Sequence, residues 1–280
     1  MHQAFPRAER DALVAAVAAL PDHALDARVR ALPGQDLVAR LSLEASLAAL
    51  RWQPPAAVRH LRWAPPARAR LEGALLGVPD ALLDARPQSG EWSLRQQLAH
   101  VELTDVRYGI ATRYAAERDE DEPMIPHPSL YPPRLGEPSG TPGEPLAAVI
   151  ARLRRVRAAA LEPLLAIPAA RLQRPTEWHT AEHTVGFRLH RFAQHDLELT
   201  TDVQATLAAL GHLPTPALSI GALLVEGWSE VEALLLGVPR AIYHAVPPQN
   251  GPTLWSRLAQ LCAADREALA AIQARTTGIV

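Results

Sequence analysis

"LEGALLGVPDALLDARPQSGEWSLRQQLAHVE", Leu71 to Glu102, holds two helical patterns separated by a Gly-Val-Pro break. Apolar residues at helical spacing lead into Gly77-Val78-Pro79, a sequence that ends a helix. After a Pro- and Gly-containing turn, Trp92 and Ser93 open a second helical pattern, with Ser93 placed as an N-cap and His100 two turns further in. The stretch reads as a helix, a Pro turn and a second helix.

The same arrangement recurs. "VEALLLGVPRAIYHAVPPQNGPTLWSRLAQLCAAD", Val231 to Asp265, aligns with it so that Gly77 and Pro87 fall on Gly237 and Pro247, and Trp92 and Leu98 on Trp255 and Leu261. A third version, "LEPLLAIPAARLQRPTEWHTAEHTV" (Leu161 to Val185), again reads as helix, Pro turn, Glu-Trp, helix; a fourth near the N-terminus keeps only the Leu-Pro turn. Four degenerate helical hairpins predict an all-α chain, and runs of alternating Val, Ile and Thr are absent. A hairpin cannot bury its apolar stripe alone, so pairs of hairpins are expected to form antiparallel four-helix bundles. The two central hairpins would make one bundle; the first and last could pair with each other or pack on its flanks. "DEDEPMIPHPSLYPPRLGEPSGTPGEP", from Asp119 to Pro145, is too rich in proline for a helix or central strand and reads as a long surface loop.

Composition limits the functional classes. A hydrophobic content of 48% over 280 residues supplies a substantial core. The 28 basic and 30 acidic residues nearly cancel, so nothing global predicts a nucleic acid or an anionic membrane as partner. All the basic residues are arginine, which reflects compositional bias. The single cysteine, Cys262, excludes an intramolecular disulfide and suits a reducing cytoplasm. With no leader-like apolar segment at the N-terminus and no membrane-length apolar run, a cytoplasmic protein is expected.

The eleven histidines raise the question of metal. His2, His23, His60, His127, His212 and His244 stand in termini, turns or loops without a partner at ligand spacing. In "EWHTAEHTVGFRLHRFAQHDLELTTDVQATLAAL", Val185, Leu189, Phe192, Leu199, Val203, Leu207 and Leu210 share one narrow helical arc. His195 lies at the edge of that stripe, whereas His183 and His190 point roughly to the opposite face. His195 can therefore turn inward, and His100 is otherwise read as a core-edge histidine.

The Gly-Glu-Trp-Ser then His of "GEWSLRQQLAH", followed after a variable loop by "FRLHRFAQHDLEL", resembles the DinB/YfiT superfamily over roughly residues 62 to 212. The resemblance implies a four-helix bundle with an open divalent metal site of three histidines, one on the second helix and two as His-x-x-x-His on a later helix. It also implies thiol-dependent transferase or isomerase chemistry with a low-molecular-weight thiol. On this basis residues 1–61 are an N-terminal helical hairpin region and 62–212 the bundle, with the Pro-rich loop 119–145. Residues 213–280 are a C-terminal hairpin resembling 66–107. His100 matches the second-helix metal ligand and His195 the first histidine of the pair, but the second falls on Leu199, which cannot bind metal. Two imidazoles fall short of the three protein ligands of a catalytic zinc-type site. A third could come from Glu198, Asp196, or His127, Asp121 or Glu122 of the loop; a His/His/carboxylate set would suit Zn²⁺, Ni²⁺ or Fe²⁺. Glu198 lies away from the apolar stripe, as a solvated carboxylate would.

Two readings follow: an ancestrally metal-dependent enzyme with a degenerate site, or a non-catalytic module that binds a small molecule or another protein. A homodimer through bundle faces is a further expectation. Trp92, Trp178 and Trp255 read as packing anchors at bundle ends, "RLRRVR" (Arg152 to Arg157) as the polar face of a helix with anion binding as its functional alternative, and Cys262 as a buried structural cysteine.

Overall fold

A computed structural model describes residues 7–88, 90–132, 140–178, 181–248 and 250–277. The chain is predominantly helical. Among the described residues its α-helices are α1 (Ala8–Ala18), α2 (Ala27–Ala49), α3 (Ala56–Leu61), α4 (Ala64–Ala74), α5 (Leu94–Glu117), α6 (Leu146–Leu161), α7 (Val185–Ala209), α8 (Pro216–Leu235), α9 (Arg240–His244) and α10 (Leu254–Thr277). Strands β1 (Pro175–Trp178) and β2 (Ala181–Thr184) form an antiparallel pair ahead of α7, with Thr176 opposite His183. The helix, Pro turn, Glu-Trp and helix read from the sequence are present as α6 and α7, but the connection between them also holds this strand pair. Four-residue strands are too short to show an alternation, and the Glu-Trp match to the other hairpins concealed them.

The helices sort into two compact units. The outer unit joins the segment up to Pro54, residues Glu72–Gly77 and the segment from Pro214 onward; the site-bearing unit comprises Pro55–Leu71 and Val78–Leu213. The first and last parts of the chain thus pack with each other: α1 and α2 lie against α8, and α10 touches both α1 and α2. Trp228, Leu43, Leu47, Leu254 and Leu258 form the core there, and Cys262 is buried among them. The Gly-Val-Pro turns have similar backbones, with Gly77 at φ 69° and Gly237 at φ 72°, the left-handed conformation that closes a helix. At Gly77 a Cβ would come within 2.7 Å of the Leu218 side chain, so glycine is needed for space as well as for φ.

Arg10 lies buried in the outer unit between two carboxylates. It donates to both oxygens of Asp36 at 2.8 and 2.6 Å, and its Nε donates to Asp265 at 3.0 Å. One guanidinium facing two carboxylates leaves a net negative charge in a buried site. Burial pushes the Asp265 carboxyl up to about 6, Arg10 pulling the other way. An unfolded aspartate titrates near 3.9, so between about pH 4 and 6 the folded chain holds the extra proton. Stability contributed by this group is therefore fully present at pH 4 and falls as the pH rises through 6, by on the order of 2–3 kcal/mol. Urea unfolding at pH 4 and pH 7 should show this fall in the wild type and its loss in Asp265→Asn, relative to the slope set by the remaining groups.

In the site-bearing unit α5 packs on α6 and α7, and α3 on α7. Ser93 caps α5 in a capping box with Gln96, as its place in the sequence suggested, and Thr184 caps α7 by accepting from the Phe187 N–H. Leu94, Leu98, Val101, Leu153, Leu189 and Phe192 are core residues of this unit. Within it, Arg68 of α4 and Arg157 of α6 close on Asp105 of α5 and Asp196 of α7, with separations of 2.7–2.9 Å. Each of four helices contributes one member of a charge-balanced, buried cluster. Arg157 is thus no part of a polar helix face, contrary to the reading of "RLRRVR"; Arg152 of the same run is bound by Glu102 and Glu144.

Candidate functional site: a histidine pair between two clefts

His100 and His195 come together although 95 residues separate them. Their Nε2 atoms stand 3.2 Å apart, so that one imidazole N–H donates to the other ring's nitrogen. His100 is half-buried, with Trp92 against one side of its ring at 5.1 Å; Tyr108 meets the His195 ring edge-on at 5.7 Å. Burial, with His100 and Arg191 adding to it, pushes His195 down to about 4, and burial likewise lowers His100. Both rings are neutral at physiological pH, the state that can share a proton or offer lone pairs.

The pair fits part of a metal site. Two nitrogens at about 2.0–2.1 Å from a tetrahedral ion lie roughly 3.3–3.4 Å apart, close to the observed separation. The remaining donors do not converge. Leu199, 6% exposed, lines the cleft beside the histidines where the third ligand would stand. Glu198 is gripped by Arg191 through both oxygens at 2.9 and 3.1 Å, which holds its carboxyl below the usual range. Asp196 points into the buried ion cluster. In the loop, exposed His127 bonds Ser129 at 2.8 Å, exposed Asp121 stays apart, and Glu122 accepts from the Asp119 N–H at 2.7 Å. Among the described residues no three His, Cys, Asp or Glu side chains are placed to hold one ion. The donor set does not fit the three-ligand centre that the resemblance implies.

Of the other histidines, His2 and His179 lie outside the described residues. His190 is exposed and meets His60 of α3, Nε2 to Nδ1, at 2.7 Å, a partner that sequence spacing did not reveal. His183 on β2 stacks flat on Phe187 at 4.1 Å. The three tryptophans are not alike: Trp92 and Trp255 are 42% and 41% exposed, too open for bundle-end anchors, and Trp178 stands on β1.

The histidine pair borders two clefts. One, of about 660 Å³, runs from Trp92 past Gln97 and Leu199 to Asp202 and Thr206. The other, of about 420 Å³, lies on the Tyr108 side and includes Tyr131, Trp178, Arg107, Arg188 and Arg191. Tyr108 packs edge-on against Trp178 and Phe192, and the Arg191 guanidinium lies 4.6 Å above the Trp178 ring. Sequence reasoning missed this second cleft. Its signal was present in α7, where Arg188, Arg191 and His195 recur at the helical spacing that puts them on one face.

The fold is predominantly helical, and its histidine pair joins α5 to α7 between two clefts. Residues 66–198, a stretch that contains both histidines, match the family model of the DinB superfamily. The match ends one residue before Leu199. No curated protein and no solved structure matches the chain. Among the described residues no helix is long and apolar enough to cross a membrane.

Proposed function

We propose that the chain is a small-molecule-binding member of the DinB superfamily whose ancestral divalent-metal site has closed. The observation that carries this reading is the fate of the third ligand: Leu199 occupies its place, and the adjacent carboxylates Glu198 and Asp196 are already committed to arginines. His100 and His195 then serve as a neutral proton-sharing pair in the wall of the ligand clefts. No reaction step passes through a metal.

A second reading draws on the 3.2 Å between the two Nε2 atoms, a separation that suits a shared ion. In it His100 and His195 hold Zn²⁺, Ni²⁺ or Fe²⁺, and an exogenous low-molecular-weight thiol supplies what the chain lacks. Such an ion would provide Lewis acidity and lower the pKa of a bound thiol.

Elemental analysis of protein purified without added metal separates the two. The expected result is well under one metal per chain in the wild type and close to one in Leu199→His, where the missing imidazole is restored one helical turn from His195. Near one metal per chain in the wild type, lost in His100→Ala, would establish the second reading instead.

A further inference from the structure

Arg188 sits in the first turn of α7 at 6% exposure, facing the cleft on the Tyr108 side. Its Nε donates to the Thr176 hydroxyl at 2.9 Å and one Nη to the Glu177 carbonyl at 2.5 Å, both on β1. These neutral acceptors orient the guanidinium without cancelling its charge. Among the described residues Arg188 has no carboxylate partner, whereas the buried Arg10, Arg68, Arg157 and Arg191 do; buried Arg118 is held by backbone carbonyls, four of them, and does not line the cleft. A buried unpaired charge is costly, and chains keep one where a ligand supplies the opposite charge. Burial also lowers the Arg188 pKa, in keeping with a guanidinium stripped of water and lacking a counter-ion.

The surroundings suggest what that ligand is. Arg107 and Arg191 line the same cleft, Arg191 paired with Glu198, together with the carboxylate of Glu177. Tyr108, Tyr131, Trp178 and Ile125 supply flat and apolar walls. At about 420 Å³ the cleft lies within the range of small-molecule sites. We propose that this cleft binds an organic carboxylate with an apolar or aromatic body, its carboxylate received by the exposed edge of the Arg188 guanidinium and its body lying against Tyr108 and Trp178. This deepens the small-molecule-binding reading above, but it does not depend on whether the histidines hold an ion.

Benzoate, with benzyl alcohol as its uncharged counterpart, is the probe. It is titrated into the full chain while the Trp178 indole N–H is followed by NMR, with and without EDTA. Saturable shifts with benzoate and at least tenfold weaker binding of benzyl alcohol are expected, with affinity falling as salt is raised. Arg188→Gln should lose at least tenfold in benzoate affinity, and Arg188→Lys should recover part of it. Since Arg188 also ties β1 to α7, the wild-type comparison of the two probes stands even if the variants fail to fold. Equal binding of benzoate and benzyl alcohol, or unchanged affinity in a folded Arg188→Gln, would overturn the proposal. So would phenyl phosphate binding tenfold tighter than benzoate, which would assign the site to phosphate esters. Benzoate binding abolished by EDTA would place the anion on a metal and overturn both this proposal and the metal-free reading. Binding that survives EDTA in a chain found to carry metal would overturn the metal-free reading alone.

Discussion

Asp196→Ala is expected to cost the site-bearing unit about 3–5 kcal/mol, a large fraction of the roughly 5–15 kcal/mol that holds an ordinary domain folded. Asp196 is fully buried and receives Arg68 at 2.9 Å and Arg157 at 2.7 Å, with Asp105 completing the set. Its removal leaves two buried guanidiniums against one carboxylate. The uncompensated charge, more than the lost hydrogen bonds, sets the size of the effect. Since α4, α5, α6 and α7 each supply one member, the loss loosens all four, and His195, the next residue to Asp196, leaves His100. Chemical denaturation measures the energy, and the His195 ring resonances report the local change. A loss below about 1 kcal/mol would mean that water can enter and solvate the arginines, so that the cluster is not dry.

Arg10→Met should be as severe in the outer unit, again about 3–5 kcal/mol at pH 7. Asp36 and Asp265 would then face each other without a cation, and the stacking of Arg10 over Trp228 at 5.2 Å would also go. The variant should regain stability on acidification, because protonating either carboxyl relieves the repulsion; the wild type should respond less steeply. Adding Asp36→Asn and Asp265→Asn to Arg10→Met should recover most of the loss, since a buried ion group replaced as a whole costs far less than one broken in part. Denaturation curves of the single and triple variants at pH 5 and pH 7 check both statements.

These two clusters mark the border between what was legible and what was not. The helical periodicity, the Gly-Val-Pro stops and the Ser93 cap are local signals, and local signals were enough for a helical chain, for the start of α5, and for setting His195 at the edge of the buried stripe of α7; His100 was singled out by the resemblance. The resemblance in "GEWSLRQQLAH" and "FRLHRFAQHDLEL" carried the family, which residues 66–198 bear out. The β1–β2 hairpin escaped because its strands are too short to show a period, and with it went the placement of Trp178 and the anchoring of Arg188.

What the sequence by itself determined is the helical class, the superfamily segment and the absence of a histidine at position 199. Only the tertiary structure decided how the charges pair. An arginine in "RLRRVR" or "FRLHRF" reads the same whether it is solvated, paired or left open, because its partner lies on another helix far away in sequence. Packing commits Arg157 to Asp196 and Arg191 to Glu198, which takes both carboxylates from the metal site, and among the described residues leaves Arg188 bonded to neutral groups on β1. Pairing is a property of distances across the fold, and burial then makes each pair, or each missing one, energetically large.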